Sequence, residues 1–218
     1  MRNIAKGAEP QSLTAHRART HSAYNNYRDI QELRESLVLE QRGLCCYCLC
    51  RIVPRELEMK VEHWHPQRRY PDEQLTYTNL LGACMGGEKP NPNDERDVDR
   101  HCDTFKGDKD LSLNPAVDDV ESTISYLKDG RIRSSNWAFN NELTSVLNLN
   151  TFAMVNKRKA VINSLLLLFP KRQSMRRQDW EEVARDWNGE GRDNQLREYC
   201  SVVAFWIRKY ILHQSGTV

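Results

Sequence analysis

Four cysteines that flank an acidic residue and a histidine are the strongest constraint on the fold of this chain. Cys45 and Cys48 are two residues apart, a spacing that lets one turn present two thiolates to a metal ion. Cys84 and Cys102 form a second pair, separated by a long insert of 17 residues. Because a structural zinc ion takes four such ligands in a tetrahedron, the sequence predicts a four-cysteine zinc site.

The other cysteines leave part of the ligand set open. Cys46 and Cys50 alternate with the proposed ligands, and either could replace one of them if the register is shifted. Cys200 lies in an apolar C-terminal stretch and is expected to be a core thiol. No apolar region typical of a secretion signal follows the first residues, so reduced thiols or metal ligands are expected rather than disulfides. The expected compartment is the cytoplasm.

Composition limits the possible partners. The chain has 218 residues with a mean hydropathy of −0.74, and its apolar stretches, such as residues 165–169, are too short to cross a bilayer. No membrane association is therefore predicted. Residues 151–218 carry 12 basic against 7 acidic side chains, so this part could bind phosphates. The candidate basic residues are Lys171, Arg172, Arg176 and Arg177.

The pattern along the chain predicts an α+β protein in three parts. Residues 1–42 are expected to form an extended arm and a helix over 22–41. Residues 43–115 contain the four proposed zinc ligands, a strand over 57–63 and a helix or turn beginning at 77–83. Residues 116–218 begin with a hairpin around Asp129-Gly130 and continue as a mostly helical region. The helices of that region are predicted at 152–169, 178–187 and 194–213.

Glu62, His63 and Asp103 are the candidate residues of a reaction centre. Histidine has an ordinary pKa of about 6.5, so His63 can act as a neutral base near pH 7. Two carboxylates suit a hard ion such as Mg²⁺ or Mn²⁺. If zinc ligation by Cys102 fixes the neighbouring backbone, Asp103 is well placed as the second carboxylate. Such a centre could activate water against a phosphodiester.

Some features of this centre stay open at the level of sequence. Glu62 and His63 are neighbours, so on a regular strand their side chains would point to opposite faces unless the strand bends. His65 lies two residues further and is a competing base. Asn79 could orient a loop or the histidine through its amide.

These residues resemble the HNH (His-Me finger) endonucleases. The matching motifs are Cys45-x-x-Cys48, Val61-Glu62-His63-x-x-Pro66, Asn79-Leu80-Leu81-x-x-Cys84 and Cys102-Asp103-x-x-Lys106. The Cys-x-Tyr-Cys and Cys-Asp-x-x-Lys forms are similar, more narrowly, to the PtuB-type nuclease subunits of Septu and retron-linked anti-phage systems. The resemblance implies a ββα-metal nuclease core that contains the zinc site.

The resemblance also implies roles for particular residues. His63 matches the general base, and Asn79 matches the asparagine that orients the catalytic loop. Glu62 stands where a metal-binding aspartate is usual, and Asp103 stands where many relatives have histidine or asparagine. The implied partners are a DNA or RNA substrate and a PtuA-like ATPase, together with a retron reverse transcriptase and its RNA/DNA product in retron-linked systems. N-terminal and helical C-terminal flanks would be docking surfaces.

Two other functions compete with an endonuclease. A non-catalytic zinc module would bind nucleic acid or a protein partner through the basic residues of the last third. An iron–sulfur or redox protein would use the cysteine cluster for electron transfer. Mg²⁺-dependent cleavage separates the endonuclease from the first alternative, and a colourless zinc protein excludes the second.

Overall fold

The computed structural model of the protein describes residues 1–88, 99–167, 177–187 and 195–214. This part of the chain combines helices with two small antiparallel sheets. The strands are β1 (Lys60–His63), β2 (Leu80–Ala83), β3 (Ile124–Tyr126) and β4 (Ile132–Ser134). The helices are α1 (Gln11–Arg17), α2 (Ile30–Glu40), α3 (Asp103–Lys106), α4 (Val120–Thr123), α5 (Trp137–Ser145), α6 (Phe152–Leu166), α7 (Arg177–Trp187) and α8 (Cys200–Gln214).

The first sheet pairs β1 with β2 and carries the candidate reaction centre. Glu62 lies opposite Leu81 in the register, and His63 lies opposite Leu80. The predicted helix or turn over 77–83 is only a single 3-10 turn, Tyr77–Asn79, followed by the strand β2. All four residues of β2 are buried, so the alternation of polar and apolar residues that marks a strand is missing there.

The second sheet is the predicted hairpin. β3 and β4 pair antiparallel, with Ile124 opposite Ser134 and Tyr126 opposite Ile132. Gly130 lies in the connecting turn with φ +94°, a conformation that favours glycine. The Asp-Gly turn signal in the sequence is confirmed.

The N-terminal segment differs from the predicted arm. It is extended up to α1, but Met1 and Ile4 are buried in the same core cluster as the cysteines. The amide of Ile4 donates to the carbonyl of Pro115 at 2.7 Å. The helix predicted over 22–41 is shorter, because a separate 3-10 turn, Tyr24–Asn26, precedes α2.

Helix α8 contributes buried apolar side chains to the core. Val202, Val203 and Ile207 of α8 are buried, so these apolar side chains pack inside the fold. Cys200 is fully buried, as expected for a core thiol. The sequence did not predict α5, which adds Phe139 to the main cluster. No helix of the described residues is long and apolar enough to cross a membrane.

Candidate metal centre and reaction site

The four predicted cysteines form one cluster. Their sulfur atoms lie within 4.8 Å of one another, with 3.9 Å between Cys45 and Cys102 and 3.6 Å between Cys48 and Cys84. Tetrahedral zinc–sulfur bonds of about 2.3 Å place sulfur atoms about 3.8 Å apart, so the spacing fits such an ion. The prediction that these residues come together at a possible metal site is confirmed.

The first half of this cluster is a tight turn. The amide of Cys45 donates to the carbonyl of Cys50 at 2.9 Å, and the amide of Cys46 donates to the carbonyl of Gly82 at 3.0 Å. Neither Cys46 nor Cys50 belongs to the group of four. The sulfur of Cys50 instead lies 2.9 Å from the hydroxyl of Tyr199. Of the alternatives left open by the sequence, Cys45 and Cys48 are the two that lie in the group of four.

The second half joins β2 to α3. Cys102 has φ +55°, and its amide donates to the carbonyl of Leu147 at 2.9 Å. Its own carbonyl accepts the amide of Lys106 at 2.9 Å, so α3 begins directly after this cysteine. The neighbouring Cys102 thiol lowers the pKa of Cys84 to about 7. Nε2 of His101 lies 3.8 Å from the Cys84 sulfur, a contact that the sequence analysis missed.

Glu62 is buried and only partly satisfied. Its Oε1 accepts a hydrogen bond from the Tyr47 hydroxyl at 2.7 Å and lies 2.9 Å from Nζ of Lys106. Its Oε2 is buried and has no hydrogen-bond partner among the described residues. Burial raises the pKa of Glu62 well above its usual range, and the carboxyl of Asp103 raises it further. A cation would remove this penalty, so the pair of carboxyls fits a hard divalent ion.

His63 is held as a neutral imidazole. Its Nε2 lies 3.0 Å from the backbone carbonyl oxygen of Gln74, which can only accept, so Nε2 carries the proton. Nδ1 then keeps a lone pair, and the side-chain nitrogen of Gln67 lies 3.1 Å from Nδ1 and 2.9 Å from Nε2. Burial lowers the pKa of His63 to about 4, so the ring is unprotonated at neutral pH. The edge of the Tyr24 ring packs against it at 4.6 Å between centroids.

Glu62, His63 and Asp103 line one open depression of about 250 Å³. Glu62 and His63 both line this depression, although their side chains contact different residues. Strand β1 ends at His63, so strict alternation is not imposed there. The remaining lining residues are Val61, Pro66, Gln67, Gly107 and Asp108.

Asn79 holds the loop that follows β1 rather than the imidazole itself. Its Oδ1 accepts the amide of His65 at 2.7 Å, and its Nδ2 donates to the carbonyls of His65 and Glu73 at 3.1 and 3.2 Å. The His65 ring is engaged elsewhere, with Nδ1 2.7 Å from the Glu73 carboxylate. His65 does not line the depression. As a competing base it is therefore less well placed than His63.

Three further residues at this site were not assigned a role from the sequence. Tyr47 and Lys106 both contact Glu62, and Gln67 contacts His63. Tyr47 and Lys106 stand inside the Cys-x-Tyr-Cys and Cys-Asp-x-x-Lys motifs, so their positions beside metal ligands were a usable signal. Gln67 carries no such signal.

The basic residues of the alternative hypothesis contribute little here. Lys171, Arg172 and Arg176 lie outside the described residues. Arg177 is exposed and pairs with Glu181 one helical turn away, at 2.9 Å. An exposed pair of this kind is an ordinary feature of a solvated helix.

Comparison with known proteins supports the resemblance seen in the motifs. No protein-family model matches the chain. It is 27% identical over 118 residues to an Escherichia coli protein named as a candidate HNH endonuclease of retron Ec83, a match that covers 49% of this chain and 46% of that protein. It is 26% identical over 93 residues to the Septu protein PtuB of Bacillus thuringiensis, covering 43% of this chain and 30% of that protein.

Each match thus spans less than half of the relative's length. The two matches nevertheless confirm what the motifs predicted: this chain is similar to HNH nucleases of the Septu and retron type.

Proposed function

We propose that this protein is a metal-dependent HNH endonuclease that hydrolyses phosphodiester bonds in DNA or RNA. In this proposal β1, β2 and α3 form the ββα-metal element, and the cysteine cluster binds a structural zinc ion. The observation that carries it is the convergence of Glu62, His63 and Asp103 on one depression beside that cluster.

In this proposal each side chain at the site has a separate role. Nδ1 of His63 accepts a proton from the attacking water, because Nε2 is occupied by the Gln74 carbonyl. Oε2 of Glu62 and the carboxylate of Asp103 would hold Mg²⁺ or Mn²⁺. When bound, that ion supplies positive charge to the scissile phosphate and the leaving oxygen. Asn79 keeps the loop after β1 in place through its contacts with the backbone.

The biological setting is proposed from the relatives. A retron protein and a Septu protein are each similar to part of this chain, so we propose that the chain is the effector nuclease of a bacterial anti-phage system. It would act with a PtuA-like ATPase, and in a retron-linked system also with the reverse transcriptase and its RNA/DNA product. Co-expression with the neighbouring gene products, followed by purification and cleavage assays, tests this setting.

The enzymatic proposal is tested by cleavage of plasmid DNA and single-stranded RNA with Mg²⁺ or Mn²⁺. His63→Ala should reduce the rate by about 100-fold or more, the usual contribution of a general base. His65→Ala is the matched control, since its ring does not line the depression.

Equal rates in the wild type and His63→Ala would contradict the proposal. Salt-sensitive nucleic-acid binding without any ion-dependent cleavage would instead favour the non-catalytic zinc module.

A further inference from the structure

One buried and one partly buried set of lysine, glutamate and tyrosine occur among the described residues. In the first set, Lys106 and Tyr47 contact Glu62. In the second set, Lys6 pairs with Glu40, and the Tyr77 hydroxyl donates to Glu40 at 2.7 Å. The two sets use the same residue types, so the difference between them shows what is particular to each.

The difference lies in how the carboxylate oxygens are satisfied. Glu40 has a partner on each oxygen, with Lys6 on Oε1 and both the Tyr77 hydroxyl and the Gly7 amide on Oε2. Glu62 has both of its partners on Oε1, at 2.7 and 2.9 Å. Its Oε2 has no hydrogen-bond partner in the described chain, although Glu62 is only 1% exposed.

A buried polar atom without a partner is costly and rare in folded proteins. Here it belongs to a carboxylate that lines the depression together with Asp103. Lys106 also donates to the backbone carbonyl of His63 at 2.9 Å, so its position is fixed by two contacts. The arrangement therefore fixes one oxygen of Glu62 and leaves the other available.

Both groups that fix Oε1 come from segments attached to the cysteine cluster. Tyr47 lies between Cys46 and the ligand Cys48. Lys106 follows the ligand Cys102 by one helical turn, and its amide donates to that residue's carbonyl. The orientation of Glu62 thus depends on the two segments that a zinc ion would hold together.

We infer that Tyr47 and Lys106 are positioning residues that hold Oε1 of Glu62, so that Oε2 stays open to a divalent ion shared with Asp103. Through them the cysteine cluster sets the affinity of the reaction site for that ion. This inference rests on the proposed function, because it assumes that the ion binds at Glu62.

The test is Mn²⁺ binding to the full-length, zinc-loaded protein without nucleic acid, with free Mn²⁺ measured by electron paramagnetic resonance. Tyr47→Phe and Lys106→Met should each weaken Mn²⁺ binding by about 10-fold or more, the usual cost of losing a group that orients a metal ligand. Zinc content should not change. Cleavage by Tyr47→Phe should recover when Mn²⁺ is raised.

Tyr77→Phe and Lys6→Met are the matched controls. They remove the same groups from Glu40, which does not line the depression. They should lower the thermal stability of the protein as the test variants do, but leave Mn²⁺ affinity unchanged. Thermal unfolding therefore separates a general loss of stability from a specific loss of ion binding.

Glu62→Gln distinguishes the proposed ion site from the positioning role of Tyr47 and Lys106. If it leaves Mn²⁺ binding intact, both the proposed ion site and this inference are wrong. If it weakens binding while Tyr47→Phe and Lys106→Met do not, only the positioning role is overturned. Tighter Mn²⁺ binding in Lys106→Met would also overturn that role, since the ammonium would then compete with the ion. Should Lys106→Met fail to fold, Tyr47→Phe alone decides.

Discussion

Nε2 of His63 donates to the backbone carbonyl of Gln74 across 3.0 Å, which fixes the tautomer of a buried imidazole. This carbonyl favours the charged ring and by itself would raise the pKa of His63, but burial has the larger effect. Burial therefore dominates and lowers the pKa of His63 to about 4. This relationship has a measurable consequence for stability.

We expect the wild type to lose stability between pH 7 and pH 5 through His63. Its pKa is about 4 when folded and about 6.5 when unfolded, so in this range the unfolded chain binds more protons. The contribution of the neutral His63 ring to the free energy of unfolding is complete above pH 6.5, and it is lost as the pH falls towards 4. It amounts to about 2 kcal/mol between pH 7 and pH 5.

Urea unfolding of the wild type and of His63→Gln at the two pH values measures this contribution. The glutamine variant does not titrate here, so its stability should fall by about 2 kcal/mol less than that of the wild type. Any other pH-dependent group, including the thiols, is common to both proteins. Parallel loss of stability in the two proteins would show that His63 is not held neutral.

From the cysteine cluster we expect a defined zinc content. The wild-type protein should contain about one zinc ion per chain, and Cys84→Ser should lose most of it because one of four ligands is gone. Cys200→Ala is the control, since that thiol is buried but is not in the cluster. Atomic emission on the purified proteins measures the metal. Full zinc occupancy in Cys84→Ser would require a different ligand set.

The amide of Asn79 predicts a cost in stability and in catalysis. Asn79→Ala leaves three backbone groups in the loop after β1 without their partner, which should lower the free energy of unfolding by about 1–3 kcal/mol. Asn79→Asp keeps the acceptor for the His65 amide but loses both donors, so its stability should be intermediate. Chemical denaturation measures the free energy of unfolding, and kcat should fall in the same order. An alanine variant as stable as the wild type would contradict this reading of the loop.

Gly86 packs against the segment that precedes Cys102, so we expect a side chain at this position to disturb the cysteine cluster. It has φ +59°, and an added Cβ would lie 2.3 Å from the carbonyl oxygen of His101. Gly86→Ala should therefore displace the segment before Cys102 and weaken zinc binding. Gly107 has a similar φ of +53° with no atom within 4 Å of an added Cβ, so Gly107→Ala should carry the backbone strain alone, about 1–3 kcal/mol.

Zinc affinity measured by competition with a chelator compares the two glycine variants. The prediction fails if both lose affinity equally, because the loss would then come from the backbone conformation and not from the contact with His101.

The sequence was sufficient for features that depend on local spacing. Two cysteines in one turn and an Asp-Gly hairpin are determined by a few neighbouring residues, and both are present as predicted. Glu62, His63 and Asp103, which the sequence grouped as candidates, line the same depression. Their chemical roles remain predictions.

Features that depend on distant contacts were not accessible from the sequence. Strand β2 is buried throughout, so it lacks the alternation that would have identified it. The extended segment around Met1 looked like a free arm because its residues have no helical period, yet Ile4 bonds to Pro115. Gln67 reaches His63 only because the loop turns back after Pro66, which no pattern in the chain indicates.

The hydrogen bond from the amide of Cys102 to the carbonyl of Leu147 extends the reaction site beyond the cysteine segment. Leu147 lies between α5 and α6, and Asp103 is the next residue after Cys102. A fragment that ended at residue 115 would leave this amide without its acceptor, directly beside a candidate ion ligand.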